Sequence, residues 1–278
     1  MKPFLLTLAE SIYKDYPVLD DLTFVFPNRR AVLYFRKHLS SLLDKPAFSP
    51  RLLTIEDFIG TFSDYSVPDK LELVHRLYKS YYEVLNQREE AAGLTPESFD
   101  KFYFWGDMLL RDFDEVDKYL INAGQLFKDL SNQKELDSSF DFLTPEQIEF
   151  LKSFWGNFDE DITANKQKFL HVWRQLPEVY NAFREQLKAQ GLAYEGLVHR
   201  EVAELLIKTP TTAKALWKGG HIVFAGFNAL TTAEEKIITS FVEAGMAEVH
   251  WDLDHYYVNN ITQEAGRFFR QYQQHATL

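Results

Sequence analysis

The sequence predicts an α/β protein with a parallel sheet, interrupted by a large all-helical insertion. Three observations carry this prediction. Short apolar runs alternate with helical patterns at both ends of the chain, over 1–67 and 209–278. Such alternation marks parallel strands joined by crossover helices. Between these ends, from 68 to 208, apolar residues recur at spacings of three and four with no convincing strand. Only 12 Gly and 10 Pro in 278 residues leave few breakers to interrupt long helices. The expected organisation is one discontinuous α/β domain, 1–67 with 209–278, and one inserted helical subdomain, 68–208.

In chain order, Leu5, Leu8, Ile12 and Tyr13 set a helical rhythm over 3–16. "LTFVFP" (22–27) is a buried-strand run that Pro27 ends. Asn28 is placed to cap the helix that follows, in which Val32, Leu33, Phe35, Leu39, Leu42 and Leu43 form an apolar side. "RLLTIEDFI" (51–59) gives a second short strand, and Thr54 with Asp57 resembles a weakened capping box. Two inserted helices open with one device, "LTPESF" and "LTPEQI". There Thr95 and Thr144 cap, and Pro96 and Pro145 take the first helical position. Gly191 closes a helix in the usual C-terminal place. "HIVFAGF" is then a strand, "TTAEEKIITSFVEAG" a helix ended by Gly245, and "MAEVHWDLD" another strand. "ITQEAGRFFRQYQQHATL" begins a helix without a closing cap, as expected of a piece of a longer polypeptide.

Composition removes several function classes. A chain 46% apolar and 15% aromatic is folded rather than disordered. The absence of cysteine excludes a disulfide framework, a thiol nucleophile and a Cys-containing zinc site, and fits a reducing compartment. The first residues lack a signal peptide's continuous core, and no window approaches 18 apolar residues, so a cytoplasmic protein without a membrane span is expected. The net charge of −11 opposes phosphate neutralisation by the chain as a whole, so any DNA contact must come from a local patch or depend on a partner.

Four stretches, "TFVFPNRRAVLYFRKHL", "RLLTIEDFI", "FYFWGDMLLRDFDEVDKYL" and "IVFAGFNALTTAEEKIITSFVEAGMAEVHWDLD", are similar to the N-terminal part of the AddB-type subunit of bacterial helicase–nucleases. The resemblance covers essentially the whole chain. It implies a RecA-like (P-loop NTPase-like) core with a helical insertion, from an inactivated superfamily I helicase of the PD-(D/E)XK nuclease family. The nuclease part would lie beyond Leu278, making the full-length protein an exonuclease subunit. The role implied is double-strand-break end processing and recombinational repair, on DNA and with a helicase partner of AddA type.

The chain departs from active relatives in two ways. No G-x-x-x-x-G-K-[ST] occurs, so no glycine-rich loop wraps phosphates. Ala225 stands where a magnesium-binding acid is expected after the strand, so Ala225, Gly226, Phe227 and Asn228 read as the shell of an NTP site. ATP and magnesium are not expected as cofactors. Asn28, Arg29, Arg30, Arg36 and Lys37 form the one dense basic run and are the candidate DNA contacts. Two alternatives stay open: a divergent ATPase with an unconventional phosphate loop, and a protein–protein docking module using an acidic helical face.

Other constellations have plainer explanations. Strand alternation would put His250, Asp252 and Asp254 on one side, either as a metal cluster with His255 or facing water. Asp112, Asp114, Glu115 and Asp117 spread around a helix and read as a solvated or partner-facing acidic face, with Phe113, Val116 and Leu120 inward. "PDK" (68–70) and "EEK" (234–236) carry nuclease letters but lie at helix starts or in helices. Phe102, Tyr103, Phe104 and Trp105 point in different directions and read mostly as core. No G-x-S-x-G or H-E-x-x-H occurs, and no catalytic residue is assigned.

Overall fold

The computed structural model describes residues 2–16, 18–89, 98–127, 162–208, 212–274 and 277, with backbone alone at 87–89 and 162–173. The chain divides into two compact units, 1–64 with 198–278, and 65–197. Of the formal charge of −11, the unit 65–197 carries −9 and the other −2. Among the described residues no helix is long and apolar enough to cross a membrane.

The chain opens with α1 (Phe4–Asp15), β1 (Leu22–Phe26), α2 (Arg29–Leu42), β2 (Arg51–Thr54) and α3 (Ile55–Gly60). The long helices α4 (Lys70–Glu89), α5 (Phe99–Lys118) and α6 (Ile162–Ala189) follow, then α7 (Glu195–Lys208) and α8 (Thr212–Leu216). The end supplies β3 (His221–Ala225), α9 (Thr232–Glu243), β4 (Ala247–His250), α10 (His255–Asn259) and α11 (Arg267–Tyr272).

The protein is α/β, with one four-stranded sheet in the order β2-β1-β3-β4 and every pairing parallel. Central β1 lies between β2 and β3, with Phe24 opposite Leu52 on one side and Val223 on the other. All five of its residues are buried, which is why it reads as an unbroken apolar run. Alternation sends Phe24 and Phe26 to the face where Phe35 of α2 meets them at 4.6 and 5.1 Å. Val223 and Ala225 share that face in a cluster with Leu8, Ala9 and Ile12 of α1. Phe224 points to the opposite face and meets Phe58 of α3 at 5.4 Å, and Phe58 lies 5.4 Å from Phe241 of α9. The crossovers β1–α2–β2 and β3–α9–β4 therefore run outward in opposite directions over opposite faces. Strand order reverses between β1 and β3.

Several helix ends are specified locally. Asn28 Oδ1 accepts from Ala31 N at 3.0 Å and starts α2. Gly191 and Gly245, at φ +67° and +70°, close α6 and α9 in the left-handed conformation that favours glycine. In the helical unit, Ser66 N donates to Gly191 O at 2.9 Å and Ala193 N to Ser66 O at 3.0 Å. Gly220 lies where a Cβ would fall 1.5 Å from Asp21 O, so only glycine lets the lead-ins to β1 and β3 run this close.

The sequence expectations need four corrections. The 51–59 run is strand only to Thr54, because Thr54 Oγ1 accepts from Asp57 N at 3.2 Å and turns the chain into α3. The 246–254 run ends as strand at His250, and Asp254 instead caps α10 through Tyr256 N at 2.8 Å. The terminal helix is a 3-10 turn, Glu264–Gly266, followed by the six-residue α11. Arg270 holds the chain before it open by donating to Tyr257 O at 2.9 Å, Asn260 O at 3.2 Å and Gln263 O at 2.9 Å. Leu33, expected on the inner side of α2, is 63% exposed because Phe35 and Leu39 supply the contact with the sheet. The expected caps at Thr95, Pro96, Thr144 and Pro145 lie outside the described residues.

Candidate functional site

The reversal of strand order makes the carboxyl edge between β1 and β3 the place where an open α/β sheet has room for a ligand. Both sets of candidate residues sit at this edge. Asn28 and the exposed Arg29 and Arg30 follow β1 directly, at the start of α2. Arg36 and Lys37 are exposed two turns further along the same helix. Ala225, Gly226, Phe227 and Asn228 follow β3.

Several backbone donors at this edge are taken by the protein's own groups. Pro27 has no N–H to offer. The Asn28 side chain already uses Ala31 N. Gly226, at φ +75°, turns the chain out of β3 while its N–H donates to His250 O at 3.0 Å. At the start of α9 a capping box consumes two more donors: Thr231 N donates to Glu234 Oε2 at 2.7 Å, and Glu234 N to Thr231 Oγ1 at 3.3 Å. Leu230 N donates to the phenol oxygen of Tyr272 at 2.8 Å, a buried contact from α11. A phosphate cradle needs such N–H groups aimed outward together. Here Ala31, Gly226, Leu230, Thr231 and Glu234 each give their N–H to a group of the protein itself.

Position 225, where the resemblance would place a metal-binding acid, is apolar. Ala225 is fully buried in the apolar cluster under α1, so a carboxylate there would be desolvated. A Cβ on Gly226 would stand 3.5 Å from the Phe4 ring, which brings the first turn of α1 over the turn. Phe227 is 2% exposed, with its ring 6.4 Å from Phe224, while Asn228 is exposed.

The outer side of α2 has the opposite character. Its fourteen residues include four Arg or Lys and no Asp or Glu, in an acidic chain. Arg29, Arg30, Arg36 and Lys37 are all exposed, and among the described residues none is ion-paired. Leu33 and Tyr34 stand among them, 63% and 50% exposed.

The other sequence candidates resolve into structural roles. His250 Nε2 lies 3.0 Å from Glu248 Oε1, Asp254 is the α10 cap, and Asp252 and His255 are exposed. Strand alternation does not apply to Asp252 and Asp254, since β4 stops before them. Among the described residues no three His, Cys, Asp or Glu side chains gather as a ligand set. Asp69 caps α4 through Glu72 N at 2.9 Å, Lys70 pairs with Asp107 at 2.8 Å, and Glu234 belongs to the capping box. Phe102 is fully buried against Tyr81 and Trp105, whereas Phe104 is 66% exposed.

On α5 the acidic face is not wholly solvated, which corrects the sequence reading. Asp114 pairs with Lys118 at 2.8 Å and accepts from Gly196 N at 2.5 Å. Asp117 is fully buried; it accepts from the Tyr180 hydroxyl at 2.5 Å and from the Tyr194 hydroxyl, with Arg184 Nε 4.0 Å away. Burial first, then the charge of Asp117, push the Tyr194 phenol well above its usual value of 10.0.

Sequence reasoning also missed Tyr272, whose contact spans 42 residues and leaves no local signal. No protein-family model and no curated protein matches the chain.

Proposed function

We propose that the chain is a helicase-like scaffold and DNA-contact domain, RecA-like in fold and without phosphoryl-transfer chemistry of its own, from an AddB-type helicase–nuclease subunit. It acts with a helicase partner of AddA type on the ends of broken DNA. The observation that supports this reading is the placement of an acid-free basic helix face beside the β1/β3 edge, in a chain of net charge −11. Local cations can neutralise phosphates even where the whole chain is acidic. The inward-turned donors and the buried Ala225 support a scaffold rather than a motor.

The test is equilibrium binding of forked DNA by the full chain over a salt series. Arg29→Ala with Arg30→Ala should weaken binding and make the log–log salt slope shallower by about 1.4–1.8, the loss of two phosphate contacts. Unchanged affinity and slope would remove the DNA-contact assignment. Stabilisation of the folded chain by Mg-ATP, about 2.7 kcal/mol at one hundred times its Kd, would favour the ATPase reading instead.

A further inference from the structure

We propose that the outward face of α5 is a docking surface for a basic amphipathic helix of a protein partner. The inference goes beyond the DNA-contact reading, since it concerns the other unit, 65–197, and does not depend on α2.

At 3.6 residues per turn, Phe104, Glu115, Met108, Tyr119 and Asp112 fall within an arc of about 80°. The opposite side of α5 is the one that packs, through Phe102, Leu109, Leu110, Phe113 and Val116. The stripe is therefore not spare core. Phe104, Met108 and Tyr119 are 66%, 45% and 45% exposed, and Asp112 and Glu115 are exposed beside them. Along the axis the order is apolar, acidic, apolar, over about 22 Å.

The two carboxylates stand one turn apart and repel each other. Among the described residues neither is ion-paired. The cations of α5 do not relieve them. Arg111 is turned to Asp107 at 2.8 Å, and Lys118 to Asp114 at 2.8 Å. Lys101 lies about 16 Å of helix axis before Asp112. Partial desolvation first, and the charge of Glu115 second, raise the Asp112 carboxyl above its usual value of 3.8, although its side chain reaches solvent.

Charge selects the occupant. A second copy would set acid against acid, in a unit that carries −9. Nucleic acid and anionic lipid headgroups meet the same repulsion. A helix with two Lys or Arg one turn apart between apolar residues presents the complementary stripe. Its cations oppose Asp112 and Glu115, and its apolar side chains oppose Phe104, Met108 and Tyr119. Ridge-into-groove packing of one helix on another covers such a stripe along its length.

The experiment measures fluorescence anisotropy of the full chain with a labelled synthetic peptide, an amphipathic helix carrying two Lys one turn apart flanked by Leu. Two peptides serve as controls: one with both Lys replaced by Glu, and one of the same composition in scrambled order. Wild type should bind the basic helix at least ten-fold more tightly than either control. Phe104→Ala with Met108→Ala should weaken that binding about five-fold or more. Asp112→Asn with Glu115→Gln should weaken it about five-fold at low salt and less than about two-fold near 1 M, where screening removes the attraction. Equal binding of the basic and Glu peptides, or wild-type affinity in both double variants, would overturn the proposal. Self-association of the wild-type chain in sedimentation, lost in Phe104→Ala with Met108→Ala, would overturn it in favour of a second copy. Unchanged melting temperatures for the two variants show that the losses arise at the face and not from unfolding.

Discussion

Asp117→Ala is expected to destabilise the helical unit 65–197 by about 3–5 kcal/mol, the range for breaking a buried charged contact from one side. The carboxylate is fully buried and accepts from two phenols, Tyr180 and Tyr194, with the Arg184 guanidinium nearby. Alanine strips the hydroxyls of an acceptor inside the core and leaves their desolvation uncompensated. Urea denaturation of the full chain, followed by the circular dichroism of the helices, gives the number. A loss below about 1 kcal/mol would mean that the phenols find other partners. The pH dependence has a definite sign. Tyr194 is held neutral in the folded state well above 10.0, so its contribution is complete below pH about 10, where the unfolded phenol is neutral too. It is lost as pH rises above that value toward the folded one, because only the unfolded chain releases the proton. Alkaline titration of stability should therefore fall steeply above pH about 10, and Tyr194→Phe should flatten that fall.

Phe35→Ala should cost about 3–5 kcal/mol as well, in the other unit, because it empties a fully buried site between α2 and the sheet. The Phe35 ring lies 4.6 Å from Phe24 and 5.1 Å from Phe26, and it is the side chain that sets α2 against β1. The adjacent Tyr34 is half-exposed, so Tyr34→Ala should stay within about 0.5 kcal/mol of wild type. Denaturation midpoints of the two variants, measured side by side, separate a residue that holds the helix from one that stands outside its packing. A stable Phe35→Ala chain with unchanged DNA affinity would show that the basic face does not depend on this contact.

Much of the sheet is legible in the sequence because β1 and β3 bury both faces and so read as continuous apolar runs. The Asn28 cap and the Gly191 and Gly245 closures are legible for a related reason: each is a local device written within a few residues. Periodicity reveals which side of its own helix a residue occupies, but not what stands opposite. Asp117 looks like another acid on an acidic helix, and its two phenols lie 63 and 77 residues away. Leu33 looks like core, yet Phe35 and Leu39 of α2 already fill the space over β1. The end of β4 was missed because "HWDLD" alternates as a strand would, while the decisive event, Asp254 capping α10, is specified by the residues that follow.

The Tyr272 contact to Leu230, the Thr231–Glu234 box, Pro27 and the buried Ala225 together make this edge a ratchet. Installing triphosphate chemistry here would require undoing all four at once. Breaking the Thr231–Glu234 box alone would uncover a helix end, and an acid at 225 alone would place a charge among hydrocarbon, with no ligand yet to compensate.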